Sequence, residues 1–193
     1  MKPLAVLVAM VRAHDYSYLL PSQKRELLLR VAQDFGCDRF VETGTHLGDT
    51  TQFMAKHGLR CTTIELDQIL AARARARFEA ASEDITLLVG NSSDLLPQVV
   101  SELDGPALFW LDAHFSSGTT AGAGASPPLV DELTLVLQHR QYGHCIAVDD
   151  ARDLLGLNGY PSIRSIATIV SATRSDYTVR LVSDIVLITP SRM

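Results

Sequence analysis

Arg39-Phe40-Val41-Glu42-Thr43-Gly44-Thr45-His46-Leu47-Gly48-Asp49 is the stretch on which the fold turns. Phe40 and Val41 carry strand-favouring side chains and run into a turn bearing two glycines. Helical spacing resumes over Thr50 to Lys56 and closes at Gly58. A strand, a glycine turn and a helix make the first half of a βαβ unit. In an open α/β sheet that turn lies beyond the carboxyl end of the strand, where ligands bind. Gly44 lets the backbone approach a ligand closely, and Gly48 lets the helix start tight against the strand.

The same rhythm continues downstream. Cys61 to Glu65 reads as a second strand and Gln68 to Ala81 as its helix. Ile85 to Val89 is a third strand, followed by Gly90-Asn91-Ser92-Ser93 and a helix ending near Leu103. Ala107 to Leu111 and Cys145 to Val148 are strands four and five, with a helix over Leu129 to His139 between them. These strands are continuous apolar runs, as expected of a parallel sheet covered on both faces. After a helix over Ile163 to Thr173, Tyr177 to Val182 and Ile185 to Thr189 flank the tight turn Ser183-Asp184. That pattern is an antiparallel hairpin. The prediction is an α/β, Rossmann-like fold: a mostly parallel, seven-stranded sheet ending in an antiparallel hairpin, with helices on both faces. Upstream, Pro21-Ser22 opens a helix with Ser22 as N-cap, and Gly36 stops it. One domain is expected over 1–193, with a helical segment over 1–38 and the core over 39–193. The apolar stretch Leu4 to Leu20 suits either a cover for a second ligand or a homodimer contact.

A chain of 193 residues, 47% hydrophobic and 20% charged, can bury a core without disulfides or structural metal. Seventeen basic residues against 22 acidic ones give a net charge of −5. The basic residues are dispersed, which argues against nucleic-acid binding. Cys37, Cys61 and Cys145 are odd in number and lack metal spacing, so Cys61 and Cys145 read as small core residues in a reduced, cytoplasmic protein. Trp110, inside an apolar strand, also reads as core. No stretch approaches the roughly 20 apolar residues of a membrane span. Met1-Lys2-Pro3 and Leu4 to Val11 superficially resemble a signal peptide, but the apolar stretch is short and runs into Arg12-Ala13-His14-Asp15 with no clear small-residue cleavage site, so secretion is not expected. Ser116 to Pro128, SSGTTAGAGASPP, is too flexible in composition to pack a core and reads as a surface linker or a lid over a site.

Three strand ends carry polar groups in register. Glu42 and the Gly44-x-x-x-Gly48 turn follow the first strand, and a carboxylate there suits a cationic ligand better than a pyrophosphate. Glu65 ends the second strand 21 residues after Gly44, near the roughly 20-residue offset at which an acid meets ribose hydroxyls. Asn91 and Ser92 follow the third strand, where small polar groups can line a base pocket. Each feature has a plainer reading as a turn, a solvated acid or a helix cap. In combination they point to a nucleoside-containing ligand. The dinucleotide fingerprint G-x-G-x-x-G is absent, which argues against a nicotinamide enzyme.

Over about Phe40 to Thr189 the chain resembles the class I S-adenosylmethionine-dependent methyltransferases. The resemblance implies that Glu42, Gly44, Thr45 and Gly48 cradle the methionine part of the donor, that Glu65 holds its ribose, and that Asn91 and Ser92 face its adenine. His46 departs from the family, which more often has another glycine there. Asp112 and His114 follow the fourth strand, and Asp149-Asp150 the fifth. Carboxylates brought together from adjacent strands repel, and a divalent cation relieves the repulsion. Asp112 with Asp149 and Asp150 is also similar to the pattern of metal-dependent O-methyltransferases, which implies Mg2+ on those three acids. Asp112, His114 and Asp149 are the candidate catalytic groups, with His114 as fourth ligand or general base. Asp112 is in addition a candidate contact of the methionine part. The plainer reading makes Asp149 or Asp150 a helix cap or a partner of Arg152, and His114 polar surface. Tyr160, in Asn158-Gly159-Tyr160-Pro161, is a candidate wall of the acceptor pocket. The resemblance implies methyl transfer to a hydroxyl of a small molecule or saccharide. The alternatives are a nucleoside-binding scaffold of the same fold and, on the same architecture, a nucleotide-dependent oxidoreductase.

Overall fold

A computed structural model describes residues 19–81, 83–112 and 128–191. Helix α1 (Pro21–Phe35) precedes β1 (Arg39–Thr43), α2 (Asp49–Lys56), β2 (Arg60–Glu65), α3 (Gln68–Ala81) and β3 (Ile85–Val89). Then come α4 (Ser92–Ser101), β4 (Ala107–Leu111), α5 (Leu129–Gln138), β5 (Cys145–Val148), α6 (Ile163–Thr173), β6 (Tyr177–Val182) and β7 (Ile185–Pro190). The seven strands form one sheet in the order β3-β2-β1-β4-β5-β7-β6. Strands β1 to β5 run parallel, and β7 pairs antiparallel with both β5 and β6. The expected sheet and its terminal hairpin are both present.

Alternation along each strand divides the core in two. Phe40, Cys61, Leu108, Trp110, Cys145 and Ala147 point to the face covered by α1 and α2, where they meet Leu28 and Met54. Val41, Ile64, Phe109, Leu111, Ile146 and Val148 point to the opposite face, packed by Leu96, Leu133 and Ile166 of α4, α5 and α6. Cys37, Cys61 and Cys145 are all free and buried. Among the described residues no helix is long and apolar enough to cross a membrane.

The entry to α1 differs from expectation. Ser22 is not its N-cap: the helix begins two residues earlier than that cap implies, at Pro21, with Leu20 as N-cap. Proline supplies the helical φ and lacks an N–H that would need a partner there. The N–H of Leu20 donates instead to Gln23 Oε1 at 2.8 Å.

The chain order reverses at β1, which lies between β2 and β4. The crevice of an open sheet forms at such a point, and the Gly44 to Gly48 turn stands at its mouth. Gly48 has φ +77°, and a Cβ there would lie 2.5 and 2.6 Å from Phe78 Cζ and Cε1 of α3. Gly48→Ala is therefore expected to cost about 2 kcal/mol or more, through strain and overpacking together. Urea unfolding measures this, and an unchanged midpoint would refute the close approach of α2 to α3.

Candidate active site

Gly44 has φ +86°, a conformation that keeps its N–H on Ile64 O at 2.9 Å while the chain turns out of the sheet. Directly across the turn stands Asp112, one residue past the end of β4. A Cβ on Gly44 would lie 3.1 Å from both Asp112 Cβ and Oδ2. The carboxylate at the face of the turn is thus Asp112.

Glu42 lies beneath the turn. It faces α2, is only 2% exposed, and accepts hydrogen bonds from Thr51 Oγ1 and, at 3.0 Å, from Thr63 Oγ1. Burial pushes its pKa up to about 8; the two threonine hydroxyls work against that, and Asp112 and Glu65 add to it. The structure makes Glu42 an internal pin between β1, β2 and α2. Thr45 is likewise enclosed, its hydroxyl 2.6 Å from that of Thr63.

Glu65 closes the same loop from β2. Its Oε2 accepts the His46 N–H at 2.7 Å and its Oε1 the Asp67 N–H at 2.9 Å. His46 has φ +50°, the left-handed backbone that brings its N–H to Glu65. That backbone favours glycine, and the bond to Glu65 offsets the strain of a histidine there. A carboxylate oxygen has two lone pairs, so each Glu65 oxygen keeps capacity for a ligand hydroxyl. Asp67 in turn caps α3, accepting from Ile69 N and Leu70 N at 2.7 and 3.0 Å.

Asn91 is the N-cap of α4, its side chain accepting from Ser93 N at 3.1 Å. Ser92 is half-buried and adjoins a residue missed in the sequence, Glu132. Glu132 is 3% exposed, Thr43 Oγ1 donates to its Oε2 at 3.4 Å, and its Oε1 has no hydrogen-bond partner among the described residues. Burial raises its pKa, and hydrogen bonding to Ser92 and Thr43 opposes the shift. A signal was present: Leu129, Leu133, Val136 and Leu137 mark the inner face of α5, and Glu132 falls on that face.

The acids after β5 are arranged differently from the expected metal set. Asp149 N donates to Leu111 O at 3.1 Å, which sets Asp149 next to the end of β4. Yet the carboxylates whose oxygens lie within 4.8 Å of one another are Asp149, Asp150 and Asp184, and Asp112 is not among them. The missing partner comes from the turn between β6 and β7, far away in sequence. Lys24 of α1 reaches into this group, bonding Asp149 and lying 4.0 Å from oxygens of Asp150 and Asp184. Arg152 donates to Asp150 Oδ1 at 2.6 Å and to Asp184 Oδ2 at 2.7 Å. The expected pairing of Asp150 with Arg152 is therefore present. Burial raises the Asp149 pKa, and the Lys24 hydrogen bond opposes the shift. Two cations of the chain already offset most of the charge of these three acids and occupy their oxygens, so these residues do not fit a divalent ion. His114, the stretch Ser116 to Pro127 and most of the Leu4 to Leu20 segment lie outside the described residues. Tyr160 is half-buried against the cluster on the α5 and α6 face.

The raised pKa of Glu42 has a consequence for stability. In the unfolded chain Glu42 ionises near its ordinary value of 4.5, but in the folded protein only near about 8. Between those values the unfolded state holds fewer protons, so stability falls as pH rises through that window. Glu42→Gln removes this loss. Relative to wild type, the variant should gain on the order of 3 kcal/mol between about pH 5 and pH 8.5. Urea unfolding at both pH values checks this, and a constant difference between the two proteins would contradict it.

No family model and no curated protein sequence matches the chain. Solved structures do. The O-methyltransferase TomG from Streptomyces achromogenes, involved in tomaymycin synthesis and solved with S-adenosylmethionine, superposes with a TM-score of 0.65 at 20% identity, over 90% of this chain and 82% of that one. An O-methyltransferase from Bacillus cereus, in complex with S-adenosylhomocysteine, gives 0.65 at 20% identity over 95% and 86%. Cofactor-bound Rv0187 from MTB gives 0.63 at 19% identity over 92% and 84%. The chain has the Rossmann-like fold of these structures, two of them O-methyltransferases.

Proposed function

We propose that this protein is an S-adenosylmethionine-dependent methyltransferase acting on an oxygen acceptor, a hydroxyl of a small molecule or saccharide. The observation that carries the reading is the placement of two carboxylates around one glycine turn at the switch point. Asp112 stands against Gly44, and Glu65 stands at the end of the neighbouring strand. A sulfonium and an ammonium need negative charge beside a close backbone approach, and a ribose needs an acceptor for its hydroxyls. Both lie where the fold binds ligands. Solved structures of the same fold, bound to the methyl donor or its product, support the reading.

In that arrangement the donor's methionine end follows the Gly44 turn past Asp112, its ribose meets Glu65, and its adenine extends toward Asn91 and Ser92. The acceptor oxygen attacks the methyl carbon from the side of β5. The S–CH3 bond breaks with its electron pair left on sulfur, and the hydroxyl proton passes to a base. Asp149, adjacent to Asp112 through its backbone bond to Leu111, is the base we assign. His114 is a further candidate by its proximity in sequence to Asp112.

Calorimetric titration tests the reading without knowledge of the acceptor. S-adenosylmethionine is expected to bind, and a nicotinamide dinucleotide to give no heat. Glu65→Gln, melting as the wild type does, is expected to weaken donor binding about tenfold or more, the loss of a charge-assisted hydrogen bond. Absence of heat with S-adenosylmethionine would remove the proposal and favour a scaffold role for the fold.

A further inference from the structure

The acids at the end of β5 have the makings of a divalent-cation site, and a side chain of the protein sits in its centre. Asp149 and Asp150 directly follow β5, and Asp184 lies in the turn between β6 and β7. Their oxygens converge within 4.8 Å. Such crowding is unfavourable unless a positive charge lies among them. Lys24 Nζ meets that need, bonded to Asp149 and within 4.0 Å of the other two.

The position of Lys24 is built into the fold. Leu28, one helical turn further along α1, is buried in the core against the sheet. Lys24 therefore projects from the inner face of α1 toward the strand ends, and its side chain is only 15% exposed. Arg152 closes the far side of the group on Asp150 and Asp184. Three carboxylates thus face two fixed cations. Magnesium demands near-octahedral oxygen ligation at about 2.0–2.1 Å, and it can reach these oxygens only by displacing the ammonium.

We infer that Lys24 is the resident cation of the acceptor side, holding by a covalent tether the place among Asp149, Asp150 and Asp184 that a divalent metal would need, so that the site operates without one. The Lys24 charge holds the Asp149 carboxylate at the edge of β4, where the acceptor's hydroxyl arrives. The role of Lys24 in catalysis rests on the methyltransferase reading; the exclusion of metal does not.

Manganese, followed by the electron paramagnetic signal of the free ion, is the probe. Wild-type protein is expected to leave the signal of millimolar Mn2+ unchanged. Lys24→Ala, which leaves three carboxylates with one cation, is expected to gain a saturable site. Adding Asp149→Asn to that variant should abolish it. Saturable Mn2+ uptake by the wild type that Asp149→Asn removes would overturn the inference. So would a Lys24→Ala protein that melts cooperatively yet takes up no Mn2+. If Lys24→Ala does not fold, wild type and Lys24→Arg decide, both expected to exclude the ion. Donor titration on the same samples separates the two levels. Failure to bind S-adenosylmethionine would remove the methyltransferase reading and leave the cation assignment to the manganese result.

Discussion

The site depends on how closely the turn after β1 approaches the end of β4. Gly44 takes a left-handed backbone there with no side chain, and Asp112 fills the space in front of it. Two buried carboxylates brace this turn. Glu65 pins the turn from β2 through the His46 N–H, and Glu42 pins it from below through two threonines. The result is a rigid pocket edge with negative charge on its open side. A larger residue at Gly44 would push Asp112 away and strain the backbone together.

Acids crowd this end of the sheet, and the protein handles them in three ways. Glu42 is enclosed, and its proton is held well above the usual carboxylate range. Glu65 is stabilised by two backbone N–H groups. Asp149, Asp150 and Asp184 are compensated by Lys24 and Arg152. Asp112 is the carboxylate set against the open face of the Gly44 turn, the position from which a positively charged ligand is best attracted.

The strands were legible because a parallel sheet covered on both faces needs continuous apolar runs, and each run here is bounded by glycine or polar residues. The terminal hairpin was legible from Ser183-Asp184 between two β-rich segments. The backbone partners of the site were not. Burial of Glu42 follows from α2 packing on its face of the sheet, where Thr51 meets it, and nothing in the turn's own residues requires that. Asp184 and Lys24 join Asp149 from the two ends of the chain, so no local spacing connects them. Glu132 was readable as an acid on an apolar helix face, although its neighbours Thr43 and Ser92 follow from tertiary packing alone. The pattern of Asp112 with Asp149-Asp150 suggested a metal because sequence shows which strand ends carry acids. It does not show which way each carboxylate turns, or that a lysine from α1 lies among them.

The central claim is that a sulfonium nucleoside lies along the Gly44 turn. Its most direct test is a crystal structure of the protein grown with S-adenosylmethionine. The account predicts donor density with the methionine end against Gly44 and Asp112 and both ribose hydroxyls on Glu65. A crevice closed by side chains, or a donor bound elsewhere on the molecule, would contradict it.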